Sequence, residues 1–127
     1  MEPQKETMRL NIMSLPHPTT LDLRGRQSVR ATFKLSTKAI EALAIVAAQL
    51  GIKQKSIFDH LIEDAQSLSQ IAREIESEKF QTLNRKQKTF VISRRTLSCL
   101  DDISKRFQAP RDALVDNSLK RLLPLID

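Results

Sequence analysis

The side chains best placed to do chemistry in this sequence are cations, and they fall in two groups. Arg24, Arg26, Arg30, Lys34 and Lys38 form the first; Arg85, Lys86, Lys88, Arg94 and Arg95 form the second. From Asp59 to Lys79 the balance reverses, with Asp59, Glu63, Asp64, Glu74, Glu76 and Glu78 against Arg73 and Lys79. Net charge is +6 and the pI about 9.8. Cations gathered this way suit a polyanion, nucleic acid first. The residues that make and break bonds are scarce by comparison. There is no glycine-rich phosphate loop, no Cys/His spacing for zinc, and no Ser-His-Asp order with only His17 and His60 on hand. His17 lies between prolines without a neighbour to work with. His60 sits among Asp59, Glu63 and Asp64, as on a solvated or salt-bridged helix face. We therefore expect no enzyme, no catalytic or metal-binding residues and no cofactor. Cys99 stands alone and cannot form an internal disulfide, which suits a reducing cytoplasm. No apolar run approaches the roughly 20 residues of a membrane span, and no signal-peptide pattern opens the chain. The expected location is cytoplasmic.

Each basic group surrounds a stretch that occurs twice. Setting Thr32-Phe33 over Thr89-Phe90, an offset of 57, also brings Leu35 onto Ile92, Ser36 onto Ser93 and Ile40 onto Leu97. Without a gap, Leu43 meets Leu100, Val46 meets Ile103, Leu50 meets Phe107, Ile57 meets Leu114, Asp59 meets Asp116 and Ile62 meets Leu119. The coincident positions are apolar, the ones a core would hold in place. A unit of some forty residues sits near the size below which a chain rarely folds alone. Two copies in 127 residues are therefore expected to share one core.

The local pattern within a copy is strand, helix, turn, helix. Val29, Ala31, Phe33 and Leu35 alternate with Ser28, Arg30, Thr32 and Lys34, as in a half-buried strand. Ser36-Thr37 offers an N-cap, with Glu41 in the opening turn. Ile40, Leu43, Val46/Ala47 and Leu50 keep helical spacing, and Gly51 stops the helix. A second helix starts around Lys53–Ser56 with Ile57, Phe58, Leu61, Ile62, Ala65 and Leu68 inward. In the second copy Lys88, Phe90 and Ile92 take the inward side of a strand, with Gln87, Thr89 and Val91 outward. A helix follows from about Arg94 to Phe107 with Leu97, Leu100, Ile103 and Phe107 inward. Pro110 replaces the glycine signal by opening the next helix, which buries Leu114, Val115, Leu119, Leu122 and Leu123 and ends at Pro124. Cys99 aligns with Ala42, as a partly buried, inert thiol would.

Two segments have no counterpart. Residues 1–26 form an irregular arm punctuated by Pro3, Pro16 and Pro18. Met8, Leu10 and Ile12 alternate in it as a short strand could, and Arg9, Arg24 and Arg26 could track DNA. In residues 68–84 propensity favours one long helix from Leu68 to Phe80. Such a helix would carry the chain about 20 Å away from the first strand. A bend near Ser67–Ser69 or after Phe80, with a short extra helix, is expected instead.

An isolated strand leaves its backbone groups unpaired, whereas two equivalent strands can pair antiparallel with helices over their apolar side. This arrangement, with Phe33-Lys34-Leu35-Ser36 and the Leu50-Gly51-Ile52 turn, resembles the ribbon-helix-helix family of bacterial DNA-binding proteins, the type of Arc and the methionine repressor. The resemblance covers about residues 28–67 and 85–124. It implies a mostly α fold with a two-stranded antiparallel β-ribbon, made of two ribbon-helix-helix units in one chain as a pseudo-two-fold intramolecular dimer. The expected organisation is an arm (1–26), a first unit (27–67), a connecting segment (68–84) and a second unit (85–127).

The family reads bases with three outward strand residues, which map here to Arg30, Thr32 and Lys34, then Gln87, Thr89 and Val91. Arg30 and Lys34 can donate to guanine O6 and N7, Gln87 can bond adenine, and Val91 can pack on a thymine methyl. The family anchors phosphates at the start of the second helix, here Lys53, Gln54 and Lys55, then Arg111 beside Asp112. Lys38, Arg94 and Arg95 stand near by as further phosphate contacts. The Ser or Thr cap common in the family is missing there, and Pro110 supplies no N–H. The resemblance thus implies a prokaryotic, nucleoid-associated transcription regulator or repressor that takes double-stranded DNA, and because this chain presents Arg/Thr/Lys beside Gln/Thr/Val the expected site is asymmetric. The rival readings are an antitoxin-type interaction protein and an accessory DNA-binding protein of plasmid transfer. Either would engage a toxin or a relaxase through residues 1–26 or 68–84.

Overall fold

The computed structural model describes residues 27–126. The arm of residues 1–26, with its suggested strand and Arg9, Arg24 and Arg26, lies outside them. In order come β1 (Ser28–Ser36), α1 (Thr37–Leu50), α2 (Gln54–Glu63), α3 (Ala65–Glu74), α4 (Ser77–Thr82), β2 (Arg85–Ser93), α5 (Arg94–Phe107), α6 (Arg111–Lys120) and a 3₁₀ turn at Leu123–Leu125. The fold is mostly helical with one two-stranded antiparallel ribbon. Its strands run in register from Ser28 opposite Ser93 to Ser36 opposite Arg85, with Thr32 opposite Thr89 at the centre.

The expected alternation puts Ala31, Phe33, Leu35, Phe90 and Ile92 into the core and leaves the residues between them outside. Beneath the ribbon Phe33, Phe58 and Phe90 form a cluster, with ring centroids 5.2–6.4 Å apart. One continuous core runs from Ala31 to Leu125 and draws on both strands and on α1, α2, α3, α5 and α6.

The junctions between strand and helix explain why the elements begin and end where they do. At Ser36 and Ser93 the ladder stops and a helix starts. Each serine is an N-cap whose Oγ accepts from Ala39 N at 3.2 Å and from Thr96 N at 3.0 Å, respectively. The serines' own N–H groups are buried and need acceptors. Asp116 Oδ1 accepts from Ser36 N at 2.7 Å, and Asp59 Oδ1 accepts from Ser93 N at 2.9 Å. Each strand end is thus tied to a helix that is distant in sequence.

Several expectations need correction. Glu41 lies beyond the first turn of α1, which holds no acid; of the expected stripe Leu43, Val46 and Ala47 are buried, Ile40 and Leu50 are only half-buried, and Ala39 and Ala42 join the buried side. Gly51 does stop α1 with φ 66°, but the matching stop after α5 is Gln108 with φ 52°, and Pro110 comes later as the N-cap of α6. The second helix breaks at Asp64, not near Ser67–Ser69. The Asp64 carboxylate accepts from Ser67 N at 3.2 Å and Ser67 Oγ at 2.7 Å, an N-cap that starts α3 in a new direction. Ala65 is consequently exposed while Leu68 stays buried. A further break at Ile75–Glu76 starts the short α4, whose Phe80 is buried with the Arg85 guanidinium 4.3 Å from its ring centre. Leu123 is 38% exposed, because α6 ends at Lys120 and Pro124 lies within the 3₁₀ turn instead of ending the helix. No helix among the described residues is long and apolar enough to cross a membrane.

Candidate nucleic-acid interface

The antiparallel register turns the six outward strand residues into three cross-strand pairs: Arg30 with Val91, Thr32 with Thr89, and Lys34 with Gln87. All six are exposed. The central pair joins hydroxyl to hydroxyl, Thr32 Oγ1 to Thr89 Oγ1, at 2.7 Å. Alternate residues on a strand stand about 6.6 Å apart, so three pairs span about 13 Å. Those roughly 13 Å run along the ribbon; across it the two strands lie only about 4.8 Å apart, so with its side chains it fits a major groove about 12 Å wide. Among the described residues no carboxylate lies within 4.0 Å of Arg30 or Lys34. Among the described residues Val91 is the most exposed large apolar residue, at 45%. The face therefore carries two cations at the two ends of its β1 edge, a carboxamide and a methyl-bearing residue at the two ends of its β2 edge, and hydroxyls between.

The flanks of the ribbon differ from each other. At the Ser28–Ser93 end, Asp59 ties α2 to β2. Lys53 and Gln54 are exposed at the start of α2, and Lys53, its N-cap, makes no side-chain capping bond. Lys55 is engaged, with Nζ 2.9 Å from Asp59 Oδ2. Arg94 is exposed at the start of α5, and Arg95 Nη1 lies 3.9 Å from Glu63 Oε1. At the Ser36–Arg85 end, Asp116 ties α6 to β1. There Lys38 is exposed, but Arg111 donates to Asp101 Oδ1 at 2.9 Å with its guanidinium 5.5 Å from the Phe33 ring centre. Arg85 faces Asp112 at 3.8 Å. Of the residues assigned to phosphate, Lys55, Arg95 and Arg111 thus have carboxylate partners already, while Lys38, Lys53, Gln54 and Arg94 have none within 4.0 Å among the described residues.

Two cations of the second basic group have no place among the base and phosphate contacts expected from the sequence. Lys88 shares the inward side with Phe90 yet stays exposed, its amine 5.9 Å from the Phe90 ring centre, and Lys86 is exposed beside it. Their basic character was the available signal; alternation, which assigns Lys88 to the core side, concealed it. A buried polar cluster escaped notice too: Thr96 Oγ1 donates to Asp59 Oδ1 at 2.7 Å and lies 3.1 Å from Glu63 Oε2.

The remaining titratable groups lie apart from the ribbon's outward face. Burial holds the His60 imidazole below its ordinary range with help from Arg121, against the pull of Asp64 and Glu63. Burial pushes the Cys99 thiol up, and nearby Glu63, Asp102 and Asp64 push it the same way. Its Sγ is 3.3 Å from the Ile62 carbonyl oxygen. Among the described residues no three His, Cys, Asp or Glu side chains are grouped to hold a metal ion. In comparison with known proteins, the chain matches no family model, no curated protein and no solved structure.

Proposed function

We propose that this chain binds double-stranded DNA sequence-specifically, with its ribbon in the major groove, as a prokaryotic transcription regulator. In this reading its halves are two fused ribbon-helix-helix units related by an internal pseudo-two-fold axis. The observation that carries it is the register. Residues related by the 57-position repeat, Thr32 and Thr89, face each other at the middle of the ribbon. The repeat-related pairs Ser36/Ser93 and Asp59/Asp116 exchange reciprocal hydrogen bonds across the same centre. A two-fold axis through the Thr32–Thr89 pair accounts for both.

The symmetry stops at the outward face. Rotation about that axis would exchange Arg30 with Gln87 and Lys34 with Val91, which differ in charge and in hydrogen-bonding capacity. Base edges in the major groove present distinct donor and acceptor patterns, so two unlike strands select two unlike half-sites. A single chain would then occupy a non-palindromic element in one orientation. Selection from a randomised duplex pool followed by footprinting tests this. The expected optimum lacks inverted symmetry and is protected by one chain. A strict inverted repeat as the optimum would refute the asymmetric reading. Absence of binding to any duplex at low salt would refute the DNA reading altogether.

A further inference from the structure

We infer that Lys86 and Lys88 form the phosphate-contacting flank at the Ser36–Arg85 end of the ribbon, in place of the cations at the start of α6. The inference rests on the DNA-binding reading above. A ribbon seated in a major groove is bordered on both sides by phosphate backbones, and cations on both flanks neutralise them. At the Ser28–Ser93 end the start of α2 and the start of α5 supply Lys53 and Arg94, both exposed and without a carboxylate within 4.0 Å among the described residues. At the other end the corresponding cations are spent on neighbours: Arg111 on Asp101 at 2.9 Å and Arg85 on Asp112 at 3.8 Å. Asp112 also brings a negative charge into the first turn of α6, and like charge there repels phosphate. Lys38 alone would remain.

Lys86 and Lys88 restore the balance from the strand. Lys86 pairs with Leu35, next to the Ser36–Arg85 pair, and Lys88 pairs with Phe33, between that end and the central threonines; both are exposed. Neither has a carboxylate within 4.0 Å among the described residues. The positions 57 residues earlier are Val29 and Ala31, half-buried and buried. Lysine therefore occurs on the strand whose neighbouring helix start has lost its free cation, and apolar residues occur where the helix start retains one. By strand parity Lys86 and Lys88 lie on the side opposite Gln87, Thr89 and Val91. They cannot reach base edges from there. Their contribution is affinity and salt dependence without sequence preference.

The test is duplex binding by fluorescence anisotropy across a salt series, with the full chain and its selected site. The Lys86→Ala/Lys88→Ala double variant should lower the magnitude of the log–log salt slope by about 1.8, which is about 0.9 for each phosphate given up. Over one decade of salt that is about a 60-fold change in relative affinity. Base preference should stay as in the wild type, Lys86→Arg/Lys88→Arg should restore the slope, and Arg111→Ala should leave it nearly unchanged. Circular dichroism melts verify that each variant is folded. A wild-type slope in the double alanine variant, or an altered base preference, would overturn the inference and leave the DNA reading standing. A wild-type chain that binds no duplex overturns both.

Discussion

Replacing Asp59 tests how the ribbon is attached to its helices. The Asp59 carboxylate is 2% exposed and accepts from Ser93 N at 2.9 Å and Thr96 Oγ1 at 2.7 Å, with Lys55 Nζ at 2.9 Å on its other oxygen. In Asp59→Ala the fully buried Ser93 N–H loses its acceptor, at about 1–3 kcal/mol. The Thr96 hydroxyl can donate instead to Glu63 Oε2, 3.1 Å away, so its lost bond adds only about 1 kcal/mol. Lys55, with 29% of its side chain exposed, can return to water at little cost. The expected total is about 3 kcal/mol, a large fraction of the 5–15 kcal/mol by which a domain is stable. With a urea m-value of about 1.5 kcal/mol/M, the denaturation midpoint should fall by about 2 M. Asp59→Asn retains an oxygen towards Ser93 and Thr96 and should cost only about 1 kcal/mol. Asp116→Ala should cost about 1 kcal/mol less than Asp59→Ala, since its hydrogen bond is to Ser36 N at 2.7 Å without a second like that of Thr96. If Asp59→Asn and Asp59→Ala proved equally damaging, or Asp59→Ala cost under about 1 kcal/mol, the idea that these carboxylates hold the strand ends would fail.

Further outcomes follow from other sites. Gly51→Ala should destabilise by about 1 kcal/mol through backbone conformation alone, because an added Cβ meets nothing within 4 Å. Gln108→Gly should stabilise by about 0.5 kcal/mol by relieving the same left-handed conformation, and urea titration reads both. Since His60 titrates below 6.5 when folded, the unfolded chain binds its proton first as pH falls. Its contribution to stability is complete above about pH 6.5 and declines below that, so thermal melts should show a loss on acidification that His60→Gln reduces. Asp64, held below its ordinary value because the Ser67 hydrogen bonds outweigh the opposing effect of burial, adds a loss at more acid pH. On DNA, Arg30→Ala should cost about 1–3 kcal/mol and relax preference at one base position in a repeat of the randomised selection. A uniform loss over all sequences would reassign Arg30 to phosphate.

The sequence by itself determined the pieces that depend on near neighbours. Period-two alternation marked both strands, helical spacing marked α1 and α5, the Ser36 cap marked the start of α1, and the 57-residue offset aligned Thr32 with Thr89, which the ribbon places opposite each other. The six outward residues of the candidate face were legible for the same reason, since parity on a strand is a local property. Tertiary structure alone decided the rest. The break at Asp64 lacks Gly or Pro and depends on a carboxylate turning back to Ser67. Gln108 adopts a glycine-like conformation that no propensity would assign to it. Whether a cation is available to a ligand was likewise invisible: Lys55 and Arg111 read as free in sequence, yet Asp59 and Asp101 hold them. Ser93 and Asp59 are 34 residues apart, and only packing brings them together. Propensity and periodicity report what a segment can form; which polar groups meet, and which charges remain unpaired, depends on the distances that the whole fold sets.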